Sequence, residues 1–304
     1  MPRRVIVGTW VASGVLVVIG LLVWASQQGY LGPYGKARQL LALANDALTS
    51  EQLPDAQAHL EELIGTFPDS PWTDDALVRL GQVYAQQQQY VEAQAMYRHL
   101  LEQFPSSPHV ARTQQLLGEV NIALLFSPTV TERDTVHEVH PGDTLGEIAN
   151  ANQTTVEFIK RANGLTGNTI YPRQKLKVPK GHFSIVVDKS QNRLLLTEDG
   201  LFIKAYTVAT GQDGSTPVGT FTIVNKVVDP VWYRQGAVVP PDSPENILGN
   251  RWMGISEPGY GIHGSVDPEL LGQQITRGCV RMTNADVEEL FAIVPIGTDV
   301  TIAD

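Results

Sequence analysis

Two residues in the C-terminal part of this chain could do nucleophilic chemistry together. Cys279, the single cysteine, lies in the sequence Thr-Arg-Gly-Cys-Val-Arg at 276–281, and His263 lies in Ile-His-Gly-Ser at 262–265. A thiol attacks as the thiolate, and because an unperturbed thiol is mostly protonated at neutral pH it needs a nearby base such as an imidazole. No acidic residue lies between Ile262 and Ser265, so a backbone carbonyl could orient the second imidazole nitrogen.

The neighbours of Cys279 extend this chemistry. A glycine at 278 lets the backbone approach a substrate closely, and the N–H groups of Gly278 and Cys279 could form an oxyanion hole. Arg281 can hold a carboxylate through a bidentate contact. Taken alone, a small buried thiol and a satisfied core histidine fit the same two residues, so the surrounding motifs must decide between these alternatives.

Those motifs resemble the catalytic domain of L,D-transpeptidases of the YkuD type, over residues 182–304. The motifs that match are Thr216-Pro217-Val218-Gly219-Thr220-Phe221, Asn250-Arg251-Trp252-Met253-Gly254, His263-Gly264, Thr276-Arg277-Gly278-Cys279-Val280-Arg281 and Gly297-Thr298-Asp299-Val300. The resemblance implies that Cys279 is the nucleophile, that His263 is the general base and that the Gly264 carbonyl orients His263. It also implies an oxyanion and substrate site shaped by Gly278, Arg281, Thr276 and Ser265.

The same resemblance implies a reaction. The thiolate would attack the carbonyl of the third residue, a diamino acid, of a tetrapeptide stem, and the terminal D-alanine would leave as a thioester forms. An amine from another stem would then resolve the thioester and give a 3→3 cross-link. Alternatives are an L,D-carboxypeptidase or an envelope-protein-to-wall ligase using the same site, or a non-catalytic wall-binding scaffold. We expect no cofactor and no metal.

The segment that must position these residues is predicted to be mainly β. Residues 183–187 and 193–197 alternate around a turn and predict a hairpin. Further short strands are expected at 205–209 and 219–225, and one helix at 285–294. This pattern predicts a mainly-β domain, and the resemblance implies that it is the catalytic domain.

The middle of the chain, residues 135–180, predicts a small α+β module. An alternating strand, the turn Pro141-Gly142-Asp143, two short helices and a closing strand at 175–179 follow one another. This order, with Asn163 and Leu176, resembles a LysM domain, although Arg173 stands where that family usually has glycine. The resemblance implies binding to N-acetylglucosamine-containing glycan, hence peptidoglycan. The contact residues would be Gly142, Asp143, Thr144, Leu145, Ile170 and Pro172.

Residues 36–126 repeat with a period of 37 residues: Ala56-Gln57-Ala58 recurs at Ala93-Gln94-Ala95 and Phe67-Pro68 at Phe104-Pro105. Each unit predicts helix, proline turn, helix, with an apolar stripe that packs on the next unit. The pattern resembles tetratricopeptide repeats. It fits an all-α surface for docking an envelope protein, and equally a stalk or packing module.

The N-terminus sets the predicted compartment. Residues 5–25 carry no charged side chain, a length that can span a bilayer as a helix. Arg3 and Arg4 precede this run, so the positive-inside rule exports the remainder. We expect residues 1–29 to be a single-pass anchor in the cytoplasmic membrane, with a cleaved signal peptide as the alternative. The catalytic part would then be extracytoplasmic, in the periplasm or cell wall.

Composition excludes other classes. The formal net charge of −10 argues against nucleic acid as a partner. A single cysteine excludes an intramolecular disulfide framework and a zinc site built from several cysteines. The length of 304 residues alone suggests about two domains of typical size, and the motifs divide the chain further into a multidomain protein.

Overall fold

The computed structural model describes residues 32, 34–234, 236–265 and 267–304. The predicted anchor at 1–29 lies outside this part of the chain. Across these ranges, no helix is both long and apolar enough to cross a membrane. The chain divides into two compact units after Leu117.

The first unit is all α, as the repeat predicted. Its helices are α1 (Gly35–Thr49), α2 (Leu53–Thr66), α3 (Thr73–Gln86) and α4 (Tyr90–Gln103), followed by the start of α5 (Val110–Leu125). Leu60 and Leu63 of α2 and Tyr97 and Leu100 of α4 are fully buried, so the apolar residues at helical spacing form the core. Gly81 is required beneath Tyr97, because a Cβ there would overlap the Tyr97 ring.

The second unit begins with a small module of two strands and two helices. These elements are β1 (Asp134–Glu138), α6 (Leu145–Ala151), α7 (Val156–Ala162) and β2 (Lys175–Pro179), with β1 antiparallel to β2. Helix α6 begins at a capping box, in which the Thr144 hydroxyl accepts the Glu147 N–H and the Glu147 carboxylate accepts the Thr144 N–H. The predicted order of strand, helix, helix and strand is therefore present.

Asn163, at the end of α7, joins the helix to the closing strand. Its Oδ1 accepts the Lys177 N–H at 2.8 Å, and its Nδ2 donates to the Lys177 carbonyl at 2.9 Å and the Ile159 carbonyl at 2.7 Å. The amide thus takes the place of a neighbouring strand for Lys177. This pairing requires both a donor and an acceptor, which is why an asparagine suits the position.

The rest of the unit is mainly β, as predicted. Its main sheet has eight strands in the order β13-β11-β10-β7-β14-β3-β4-β5. The bounds are β3 (Phe183–Asp188), β4 (Arg193–Glu198), β5 (Leu201–Thr207), β6 (Thr210–Gly211), β7 (Gly219–Val228), β8 (Trp232–Arg234), β9 (Ala237–Val239), β10 (Arg251–Ile255), β11 (Gly261–His263), β12 (Gln274–Thr276), β13 (Val280–Arg281) and β14 (Asp299–Ala303). Strands β3 and β4 form the predicted hairpin. One helix, α8 (Asn284–Ile293), packs on β10 and β11.

The small module and the β domain share one hydrophobic core. Phe158 of α7 is fully buried in the same cluster as Phe183 of β3, with ring centroids 6.1 Å apart. The Thr155 hydroxyl donates to the Ala292 carbonyl of α8. Lys177 is buried and donates to the carbonyls of Leu124 and Ser127 at 2.9 and 3.0 Å. These contacts fix the module against the β domain rather than leaving it on a free linker.

Candidate active site

Three adjacent strands bring the predicted catalytic residues together. Strand β11 runs parallel to β13, and their register pairs His263 with Arg281. His263 and Arg281 are therefore neighbours at the sheet edge, and Cys279 directly precedes β13, with its thiol beside the Gly259 carbonyl.

The imidazole of His263 is held by backbone and aromatic contacts. Its Nδ1 lies 2.7 Å from the Gly264 carbonyl oxygen, which is the contact implied by the family resemblance. The Trp252 indole stacks on the ring, and only 2% of His263 is exposed. Because Nδ1–H donates to Gly264, Nε2 is left as the proton acceptor.

His263 is neutral at physiological pH. Burial lowers the pKa of His263 to about 4, the Gly264 and Leu248 carbonyls oppose this shift, and the charge of Arg281 adds to it. A neutral imidazole can accept a proton, which is what a general base requires.

The thiol of Cys279 is also neutral at rest. Burial raises the pKa of Cys279, while the Gly261 N–H and the charge of Arg281 partly offset that increase. The Sγ atom lies 3.9 Å from the Gly259 carbonyl oxygen. Burial therefore favours the protonated thiol over the thiolate in the resting site.

The loop that carries Cys279 is organised by the Thr276 side chain. Its hydroxyl accepts the Gly278 N–H at 3.1 Å and donates to the Cys279 carbonyl at 2.6 Å. The Gly278 N–H thus has an internal partner, and its part in an oxyanion hole stays a prediction. The Cys279 N–H remains the candidate donor.

A glycine is required at position 278 for a reason different from the one predicted. Its φ is +126°, and a Cβ would overlap the Tyr260 ring and come within 2.9 Å of the Ser215 carbonyl oxygen. Protein atoms, rather than a substrate, approach this glycine. The absence of a side chain lets the loop pass between Tyr260 and Ser215 and so places the thiol.

Two other predicted substrate-binding residues have internal partners. Ser265 is buried, and its hydroxyl accepts the Asp267 N–H at 3.0 Å. Thr276 is also buried and holds the Cys279 loop. Both side chains therefore have internal partners, and their contact with substrate stays a prediction.

Arg281 offers an available donor. Its backbone N–H and carbonyl pair with Ala209 at 2.8 Å, which fixes its place at the sheet edge. Its Nε is buried and, among the described residues, has no hydrogen-bond partner. Burial lowers the pKa of Arg281, and the charges of Asp267 and Cys279 oppose that shift. A carboxylate reaching this guanidinium would satisfy the buried Nε–H.

Two supporting side chains were not singled out from the sequence. Tyr260 covers Gly278, and the Asn284 Oδ1 lies where a Cβ on Gly249 or Gly264 would fall. The sequence signal for these contacts was the glycines at 249, 264 and 278, since a glycine allows another residue to approach the backbone closely. The residue that approaches could not be read from the sequence, because it comes from another element.

The predicted glycan-contact residues fall into two groups. Gly142, with φ +97°, and Pro172 lie at the surface. Leu145 is buried in the core of the small module and the partly buried Ile170 packs against it, so their contact with glycan stays a prediction. Tyr171, 67% exposed beside Pro172, offers an aromatic face that was not among the residues predicted from the sequence. The remaining two predicted residues make internal contacts: Thr144 caps α6, and Asp143 contacts His137.

Comparison with known proteins gives three family matches. A tetratricopeptide repeat model matches residues 47–117, a LysM model 137–179 and an L,D-transpeptidase catalytic domain model 182–302. They confirm the order of modules predicted from the sequence. The exact boundaries and the role of each site residue stay predictions.

Among similar proteins, the Bacillus licheniformis protein named as an L,D-transpeptidase, YkuD, is 34% identical over 55% of this chain and 98% of its own length. The solved catalytic domain of the E. faecium L,D-transpeptidase is 28% identical, with a TM-score of 0.34, over 40% of this chain and 96% of that one. An L,D-transpeptidase structure from Mycobacterium smegmatis is 19% identical, with a TM-score of 0.34; the match covers 43% of this chain and 63% of that one, less than two thirds of its length.

Proposed function

This chain belongs to the L,D-transpeptidase family, and we propose that it is a cysteine-dependent acyltransferase that forms 3→3 cross-links between peptidoglycan stem peptides. The observation that carries this proposal is the arrangement of His263. Its Nδ1 is held by the Gly264 carbonyl at 2.7 Å, and its strand β11 pairs with β13, which Cys279 directly precedes. Such a pair can move one proton from a nucleophile to a base and back.

The proposed reaction begins with proton transfer from the Cys279 thiol to Nε2 of His263. The thiolate attacks the carbonyl of the third stem residue, and the Cys279 N–H stabilises the oxyanion. The imidazolium then protonates the leaving D-alanine as the thioester forms. An amine from a second stem gives its proton to His263, attacks the thioester and releases the thiol. Arg281 holds a substrate carboxylate during both steps.

The other modules would bring this chemistry to the wall. We propose that the LysM domain binds glycan strands and that residues 1–29 anchor the chain in the cytoplasmic membrane with the rest outside. The helical repeats would dock an envelope protein. Contact between the LysM module and the β domain supports a fixed distance between bound glycan and the reacting stem.

The test is incubation of the full chain with purified disaccharide-tetrapeptides, read by mass spectrometry, with Cys279→Ala as the control variant. We expect a dimer formed with loss of D-alanine, absent in the variant. Loss of D-alanine without a dimer would indicate a carboxypeptidase. No product, together with no meropenem adduct on the thiol, would indicate a wall-binding scaffold and overturn the proposal.

A further inference from the structure

Three metal-binding side chains converge on the turn before α6, far from Cys279 in sequence. They are His137 at the end of β1, His140 in the turn and Asp143 just before the helix. The His137 Nε2 lies 2.9 Å from the Asp143 Oδ2, and the His140 Nδ1 lies 3.6 Å from the same oxygen. One ligand atom from each residue lies within 4.8 Å of the other two.

The backbone sets this convergence. His137 is paired with Leu176 in the β1–β2 ladder, which fixes its position. The Asp143 N–H donates to the His140 carbonyl at 3.1 Å and closes the turn, and Gly142 provides the required positive φ of +97°. The His140 N–H donates to the Asp143 Oδ2 at 2.8 Å and orients the carboxylate. The three side chains therefore meet because the turn brings them together.

We propose that His137, His140 and Asp143 form a binding site for a divalent transition metal of the zinc class. Two imidazole nitrogens and one carboxylate oxygen are a donor set that suits Zn²⁺. In a tetrahedral site with bonds of about 2.0–2.1 Å, ligand atoms lie roughly 3.3 Å apart. The observed separations of 2.9 and 3.6 Å bracket that value.

The charge and exposure of the three residues fit a bound cation. An aspartate carboxylate is ordinarily anionic at neutral pH, and both imidazoles lie against the Asp143 carboxylate. His140 is 74% exposed, and the other two side chains are 28% and 27% exposed. This leaves room for water as a fourth ligand. This proposal revises the expectation of no metal, which rested on the absence of a cluster of cysteines in the sequence.

The test uses the full chain, stripped of metal by a chelator and titrated with Co²⁺, followed by Zn²⁺ competition. We expect one Co²⁺ per chain, with visible d–d bands and no thiolate charge-transfer band, because the site contains no sulfur. His140→Ala and His137→Ala should each weaken Zn²⁺ binding at least about tenfold, which corresponds to ~1.4 kcal/mol. A thermal shift caused by Zn²⁺ should disappear in the same two variants.

His182→Ala is the matched control. His182 is also 74% exposed and lies 3.7 Å from a carboxylate, that of Asp199, yet it belongs to no cluster of three metal-binding residues in the described chain. The affinity of the His182→Ala variant for Zn²⁺ should equal that of the wild type. Equal affinity in wild type and His140→Ala would overturn the proposal. A charge-transfer band that disappears in Cys279→Ala would also overturn it, by showing that the metal binds the catalytic thiol.

Discussion

The Trp252 indole lies against the His263 imidazole, with ring centroids 5.9 Å apart and planes inclined by 19°. The two residues are direct partners in the antiparallel ladder of β10 and β11. The Trp252 Nε1 donates to the Asn225 Oδ1 at 3.1 Å, which fixes the ring plane. The indole therefore excludes water from the base and contributes to the burial that lowers its pKa.

Replacing Trp252 with alanine should raise the pKa of His263 from about 4 towards its ordinary value, because water would reach the imidazole. NMR titration of the imidazole measures this shift. Trp252→Phe, which keeps an aromatic face, should change the pKa much less. An unchanged pKa in Trp252→Ala would show that the indole does not control the burial of the base.

The reaction of Cys279 with iodoacetamide should continue to accelerate with pH above the ordinary pKa of a thiol. Burial raises the pKa of Cys279, and a neutral His263 supplies no imidazolium to stabilise a thiolate. The rate should rise about tenfold per pH unit below the thiol pKa. A preformed ion pair would instead give a high, flat rate between the pKa values of the two groups, and that plateau would be lost in His263→Gln.

Gly278→Ala should abolish cross-linking and lower the stability of the second unit. The new Cβ would overlap the Tyr260 ring and approach the Ser215 carbonyl oxygen to 2.9 Å. Gly272→Ala is the control, since its φ is +82° but its Cβ meets only Thr207 at an ordinary 3.8 Å. Both variants carry the cost of positive φ, about 1–2 kcal/mol. Equal losses of activity in the two variants would contradict a role for the close packing at Gly278.

Thr276→Val should slow acylation about tenfold or more and cost about 2 kcal/mol of stability, because the buried Gly278 N–H and Cys279 carbonyl would lose their partner. Meropenem acylation followed by mass spectrometry gives the rate. Thr220→Val, at an exposed position of β7, should be close to wild type. Wild-type acylation by Thr276→Val would show that its hydroxyl does not position the nucleophile.

Asn163→Asp should destabilise the second unit by about 3 kcal/mol. The carboxylate keeps an acceptor for the Lys177 N–H but loses both donors, to the Lys177 and Ile159 carbonyls. Urea denaturation followed by circular dichroism measures the loss. Asn168→Asp makes the same change of charge at an exposed position and should have little effect. Similar losses of stability in both variants would show that the added charge alone causes the effect.

Several features could be predicted because they are encoded in contiguous residues. The motif around Cys279, the turn and helix cap at 141–145, and the 37-residue repeat each express a local backbone or chemical requirement. Such requirements identified the family and the order of its modules, which the family matches confirm. The periodicity of apolar residues likewise predicted the buried faces of α2 and α4.

Other features depend on residues that only folding brings together. The Thr276 hydroxyl takes the Gly278 N–H, Leu145 enters a core, and burial beside Trp252 keeps His263 neutral. Sequence spacing does not reveal burial or the direction of an N–H, because both are set by partners on other strands. The sequence by itself therefore determined the family and the candidate catalytic residues, and the tertiary structure decided their burial, their protonation and their hydrogen-bond partners, because these depend on residues of other elements.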